Sequence, residues 1–454
     1  MSDRRDDAYL TVAMRRSDTH QQPRVRVVVL NYNGGDLTLE CLRRLRATEW
    51  PSGQLRIVLV DNASTDDVVA KTRDEMPDVR IITSDQNLGF AGGCNLALRD
   101  LDDVDYVALV NSDVLVEPGW LAPLARAFGR NPTLGAALPK ILFAPRFREV
   151  ELRSGTAVLG RGDRRRLGVQ VSGARVAGSD VWRDTQLLDG FWGPEPGPER
   201  GSTAQWMSGR AVLRVPHSDA ADTCELRLAA HEPREISAAS GHRDVGITVG
   251  QKSEWHTVPL AGQPFDVINN VGNVVTGDGY GADRGYLERD HGQYDLPEYV
   301  FAWSGATVLL DTRYLADVGL FDEALFLYYE DLDLAWRGRE RGWRYKYVPG
   351  SVVRHVHSAS TIEGSPLFDF YNERNRLLTL TRHADRRTTT RALVRYLLVT
   401  ASYTRRDVVS PILRGQAPRL RIPFRRLKAL GGYAVEMNRT RNRAESVGIA
   451  TERG

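Results

Sequence analysis

Three apolar runs, each ending in polar residues and separated by helical stretches, limit what this chain can fold into more than any other feature. "RVRVVVLNYN", Arg24 to Asn33, is nearly continuous in β-branched residues and closes on Gly34 and Gly35. That pattern reads as a parallel strand buried on both faces. "DLTLECLRRLRATEW" follows, with Leu39, Leu42 and Leu45 at helical spacing. "LRIVLVDNASTDD" repeats the strand, residues 66–75 read as a helix, and "VRIITSDQN" is a third strand. The order β-α-β-α-β predicts a doubly wound α/β sheet, in which ligands sit beyond the carboxyl ends of the strands. Asn31, Asp61, Asn87 and Gly89 fall at those ends. A fourth strand, "DYVALVNSDVLV", is expected to carry Asn111 and Asp113 within it, and Pro118 opens a helix running to Phe128.

A length of 454 residues predicts two or three domains. Residues 1–23 are charged, lack an apolar core and read as a flexible tail. The α/β pattern occupies 24–148. From 149 to 264 the chain is rich in Gly, Arg and short alternating runs such as Val245, Ile247 and Val249, and reads as an inserted β-sandwich-like domain. It holds Trp182, Trp192, Trp206 and Trp255, which would stack on sugar rings if exposed; burial in a core is the expectation for most of them. The α/β texture returns over 265–365. Residues 366–454 read as helical and basic, with "RALVRYLLVTASYTRR" and "RGQAPRLRIPFRRLKAL" mixing Arg with Leu, Ile and Val. Two readings stay open for them, a helix lying on an anionic membrane surface or a solvated helical hairpin covering the sheet.

Lys and Arg number 61 against 58 Asp and Glu, a net charge of +3, which makes no case for a nucleic-acid partner. Three widely spaced cysteines fit neither a disulfide framework nor a structural zinc site. No stretch approaches the roughly 18 apolar residues of a membrane span. The expected location is the cytoplasm, with the inner face of the cell membrane as a possible station.

Several residues invite chemistry. Asp113 either interrupts a hydrophobic strand, at a cost of roughly several kcal/mol, or sits where the strand opens to a ligand or a hard cation; the second is cheaper, and a turn between two short strands is the alternative. Asp61 points from a strand terminus, a place where Asp also simply starts turns. "NLGFAGGCN", Asn87 to Asn95, offers glycines for close backbone approach to a nucleotide, yet follows neither the Lys-containing phosphate loop nor the dinucleotide spacing. His355 and His357, in "SVVRHVHSAS", share one face if that run is a strand, as metal or phosphate ligands or as ordinary surface residues. In "FLYYEDLDLAW", Glu330 and Asp331 occupy the first turn of a helix, where the dipole favours negative charge. The apolar run before them places them at a pocket mouth, where a carboxylate can act as general base. Asp333 is expected to be a solvated or capping acid.

Taken together, "VVVLNYNGG", "VLVDNASTDD", "NLGFAGGCN", "LVNSDVLVEPGWL", "WSGATVLL", "GLFDEALFLYYEDLDLAWRGRERGW" and "VPGSVVRHVHS" resemble the family 2 glycosyltransferases of GT-A fold, in particular their rhamnosyltransferase-like branch. The resemblance covers roughly residues 24–145 and 270–380. It implies a donor side of Asn31, Asn33, Asp61, Asn87, Gly89, Phe90, Asn111 and Asp113. Asp61 would meet the nucleobase, and Asn111 to Asp113 stand where the family has its metal-binding Asp-x-Asp. It further implies Asp331 as catalytic base beside Glu330, His355 with Asp113 as ligands of Mg²⁺ or Mn²⁺, and Trp303, Ser304 and Gly305 on the acceptor side. The expected activity is transfer of a sugar, rhamnose being the example, from a nucleoside diphosphate to a cell-envelope glycan or lipid-linked precursor. An inverting transfer needs a base and a cation but no protein nucleophile, and no second carboxylate suggests a glycoside hydrolase. A nucleotidyltransferase and a catalytically spent glycan-binding scaffold are the rival readings. The first should carry a basic Gly-rich loop where "LNYNGGDLT" stands, and intact Asp113, Asp331 and His355 argue against the second.

Overall fold

The computed structural model describes residues 23–129, 131–158, 160, 164–199, 202–356 and 365–451, with side chains as far as Arg439. The first 22 residues of the expected tail, and His357, lie outside the described residues. The chain divides into two compact units, one running to Ile141 and then comprising Asn269–Tyr286 and Gln293 onward, the other Leu142–Ile268 with Leu287–Gly292.

The first unit is built on the apolar runs. Strands β1 (Val25–Asn31), β2 (Leu55–Asn62), β3 (Arg80–Ser84) and β4 (Tyr106–Asn111) are parallel, in the order β4-β1-β2-β3. Helices α1 (Gly35–Arg46), α2 (Val68–Glu75) and α3 (Gly89–Leu98) connect them. Val27, Val29, Leu59 and Ala108 of the strands pack with Leu39, Leu42 and Leu45 of α1 in one core. Their complete burial is why these runs hardly alternate. Chain order reverses between β1 and β4, so the crevice at their carboxyl ends is the switch point where open α/β sheets bind ligands.

Asp113 is not inside a strand. The apolar run breaks after Asn111, and a short strand β5 (Val114–Val116) begins afterwards with a different partner. The sheet continues past β4 with β10 (Thr307–Asp311), β6 (Leu134–Phe143), β11 (Arg344–His355) and β9 (Glu298–Val300); β5 pairs with β11. Between β6 and β9, β7 (Asn273–Val275) and β8 (Gly281–Asp283) form a small hairpin. Further helices are α4 (Leu121–Phe128), α5 (Thr312–Val318) and α6 (Glu330–Glu340). The C-terminal region is helical: α7 (Pro366–His383), α8 (Arg386–Thr404) and α9 (Arg421–Thr451). Ser365 caps α7 by accepting from Phe368 N and Asp385 caps α8 by accepting from Thr388 N, satisfying amides that a helix start leaves open. Among the described residues no helix is long and apolar enough to cross a membrane.

The second unit is a β-sandwich of a five-stranded and a six-stranded sheet. Val150, Leu152 and Leu213 of one sheet share a core with Val169, Val171, Leu226 and Leu228 of the other. The short alternating runs are the inward and outward faces of these strands. None of the four tryptophans is fully buried, where burial is the expectation for most, though Trp182 packs against the sandwich core. Trp192 is 36% exposed and the others are half-buried. The Trp255 ring lies under the guanidinium of Arg175, 4.0 Å from its centroid, an arrangement that keeps an indole at the surface without leaving it bare.

Candidate active site

Register places three polar residues side by side at the switch point: Asn31 pairs with Asp61 across β1 and β2, and Leu30 with Asn111 across β1 and β4. Asn31 is fully buried and committed to its neighbours. Its Nδ2 donates to Asp61 Oδ1 (3.1 Å) and Ser64 Oγ (2.9 Å), while its Oδ1 accepts from Thr38 Oγ1 (2.8 Å) and Gly34 N (3.1 Å). Its amide thereby holds Asp61 in place. Asn33 is exposed, in the left-handed region at φ 55°, and its Oδ1 accepts from Thr65 N (2.7 Å). Asn87 accepts from Asn62 Nδ2 (2.9 Å) and Gly89 N (2.8 Å), which turns the chain into α3.

Asp113 and His355 come together although 242 residues apart, with His355 Nε2 3.1 Å from Asp113 Oδ1. The cause is the pairing of β5 with β11, in which Val114 faces His355. The other ring nitrogen, Nδ1, lies 3.1 Å from Asn269 Oδ1, an orienting contact of the kind that fixes which nitrogen faces a ligand. An imidazole and a carboxylate are side chains of the kinds that could hold a divalent cation, which would supply charge to offset a diphosphate. No group of three or more His, Cys, Asp or Glu that could hold a metal occurs among the described residues.

The acids of α6 separate into three roles. Glu330 is buried and its Oε2 has no partner. Burial, and then the neighbouring Asp331, push its carboxyl well above the usual range. Asp331 is partly buried. Burial raises its carboxyl too, opposed by backbone bonds: Gly305 N donates to Oδ2 (2.9 Å) and Leu332 N to Oδ1 (2.7 Å). Both acids stand in the first turn of α6, where the helix dipole favours negative charge. Asp333 contradicts the expectation of a solvated acid. It is buried between Arg337 (2.9 Å), Arg382 (3.2 Å) and His383 (3.0 Å). Burial alone would raise its carboxyl, but the His383 hydrogen bond and the two guanidinium charges hold it below the ordinary value. The i+4 arginine was visible in sequence, but the partners from α7 were not.

The acceptor side also differs from expectation. Trp303 is fully buried, edge-on to Phe321 at 6.2 Å, and lines nothing open. Gly305 is buried and spends its amide on Asp331, and Ser304 alone of the three is partly exposed. A Cβ on Gly305 would meet the Phe90 ring at 3.3 Å and Asp331 Oδ2 at 3.6 Å, so Phe90 and Asp331 flank the same glycine. Asn111 N donates to Ala306 O (2.9 Å), which ties the strand break to the same stretch.

Three asparagines escaped the sequence reading. Asn269 contacts His355, Asn270 Nδ2 donates to Asn273 Oδ1 (2.6 Å), and Asn273 Nδ2 donates to Trp303 O (3.2 Å) with a long contact to Asp331 Oδ2 (3.4 Å). They stand between His355 and Asp331. The run "NNVGN" was the available signal, but it also fits an ordinary turn.

The family "Glycosyl transferase family 2" matches residues 26–168, and "Glycosyltransferase like family 2" matches residues 282–376. Curated relatives from two strains of Mycobacterium tuberculosis, each an N-acetylglucosaminyl-diphospho-decaprenol L-rhamnosyltransferase, are 31% identical over 126 residues, which is 25% of this chain. The chain spans 40% of the length of those relatives. Among solved structures, the mannosyltransferase PcManGT from Pyrobaculum calidifontis with GDP-Man and Mn²⁺ is similar at 13% identity, covering 94% of this chain and 93% of its own, with a TM-score of 0.39. S. aureus TarS 1–349 is similar at 15% identity, covering 90% and 80%, with a TM-score of 0.35.

Proposed function

The chain belongs to glycosyl transferase family 2, with a GT-A sheet, and from that premise we propose an inverting transfer of a sugar from a nucleoside diphosphate to a hydroxyl of a cell-envelope glycan or lipid-linked precursor. The observation that carries this reading is Asp331, a partly buried carboxylate at the start of α6 pinned by Gly305 N and Leu332 N. Asp331 takes the proton of the acceptor hydroxyl as its oxygen attacks the anomeric carbon. The bond from that carbon to the diphosphate breaks, and the nucleoside diphosphate leaves on the opposite face. Asp61 receives the base at the carboxyl edge of β2. Asp113 and His355 would hold a divalent cation, which when bound offsets the charge of the diphosphate. Rhamnose as the sugar is supported by the partial likeness to the mycobacterial enzymes.

Asp331→Asn keeps the shape and removes the base. Nucleoside diphosphate release from dTDP-rhamnose in the presence of acceptor should fall by roughly 10²–10⁴-fold, with the donor still bound. An unchanged rate would remove the assignment.

We also place the enzyme at an anionic membrane surface. Val394, Leu397 and Leu398 of α8, Ile412 and Leu413 after it, Leu420, and Phe424 and Leu427 of α9 are exposed. Between 386 and 439 the only acids are Asp407 and Glu436, both buried, among many arginines. Apolar side chains interspersed with arginines suit the boundary between headgroups and acyl chains.

A further inference from the structure

Immediately before α6 the backbone takes a path that L-residues avoid. Phe326, Tyr328 and Tyr329 have φ of 64°, 67° and 71°, three bulky residues in the left-handed region within four positions. Such a path persists only where its surroundings over-determine it.

The surroundings here are two adjacent side chains of α7. Asn375, fully buried, directs Nδ2 at three carbonyls of the segment, Leu325 (2.8 Å), Leu327 (2.9 Å) and Tyr328 (2.7 Å). Arg374 donates to the carbonyls of Ala324 (2.6 Å) and Leu325 (3.0 Å). Its Nε also donates to Asn375 Oδ1 (2.8 Å), which settles the end of the amide that faces the carbonyls. On the other side, the Phe326 carbonyl accepts from Phe90 N (2.6 Å) and Ala91 N (3.3 Å). It thereby serves the first turn of α3, whose preceding residue Leu88 supplies no side-chain cap. Only a glycine fits the approach, since a Cβ on Gly89 would stand 2.3 Å from that carbonyl.

We propose that Asn375 is a positioning residue for transfer. By gathering the carbonyls of Leu325, Leu327 and Tyr328 it fixes the strained segment, and through it both the start of α6 that bears Asp331 and the start of α3 that bears Phe90. It touches no substrate. The effect on rate rests on the reading of Asp331 as the base, whereas the effect on the segment does not.

The two are tested together with Asn375→Asp, which keeps the shape without the donor, Asn375→Ala, and Asn375→Ser, which retains one donor and guards against loss of the fold. In the free protein, amide exchange across residues 88–92 and 325–334 should rise tenfold or more in the Asp and Ala variants and less in Ser. Exchange in β1 and in the β-sandwich should stay within twofold. With dTDP-rhamnose, kcat should fall tenfold or more while the donor KM stays within threefold, and the acid limb of the kcat/KM profile should move. Exchange unchanged in the two segments, or raised equally throughout the first unit, overturns the proposal, as does an unaltered kcat in a variant whose segments exchange faster. Should Asp331→Asn retain activity while exchange rises only in these segments, the clamp stands and the assignment of the base falls.

Discussion

Three carboxylates within four residues meet different environments, and their titration separates them. Glu330 is buried with one oxygen unpartnered and its carboxyl raised, so the folded protein holds a proton there that the unfolded chain releases at its lower pKa. Stability from this group is therefore full below the unfolded pKa and is lost as pH rises towards the raised folded one. Glu330→Gln removes the titration. Relative to the parent it should gain on the order of 1 kcal/mol or more at pH 8 and nothing from this source at pH 4, measured by denaturant unfolding at both values. A pH-independent difference would show that Glu330 does not carry the shift. The helix start and the acids were legible in sequence through capping and dipole rules. The division of labour among them was not, because it depends on Gly305, His383 and Arg382, which lie 25 or more residues away along the chain.

At the level of elements, the site is made by a strand that stops early. The break after Asn111 frees β5 to pair with β11, and that pairing sets Asp113 against His355. Asp113→Ala or His355→Ala should lower transfer tenfold or more, and chelator should abolish it in the parent, with Mn²⁺ or Mg²⁺ restoring the parent but not the variants at equal concentration. Activity that survives chelation would remove the cation from the reading. The parallel strands and their helices could be read from apolar runs because burial on both faces leaves a continuous signature. The antiparallel additions β9, β10 and β11 could not be placed in order, since pairing partners are far apart in sequence and leave no local mark. Trp303 shows the limit of carrying a role over by motif: its position in the chain matched, and its side chain points into the core.

For the whole molecule, charge is nearly balanced in total and uneven in distribution. The exposed apolar residues of α8 and α9 and the arginines among them predict co-sedimentation with phosphatidylglycerol vesicles, weakened but not lost as salt rises, because screening acts on the charges and not on the inserted side chains. Leu398→Glu with Phe424→Glu should keep the protein in the supernatant, and equal binding of the parent to neutral vesicles would remove the part played by charge. The division into units carries a consequence for how the molecule is made. The first unit is assembled from three separate stretches of chain, whereas nearly all of the β-sandwich is one stretch, Leu142–Ile268, closed by Leu287–Gly292. During synthesis the sandwich has all its strands once Gly292 has emerged, at a time when the earlier β1 to β4 still lack β10 and β11 as neighbours. Asp113 must then wait for a histidine 242 residues downstream, so most of the chain has left the ribosome before these two side chains can meet.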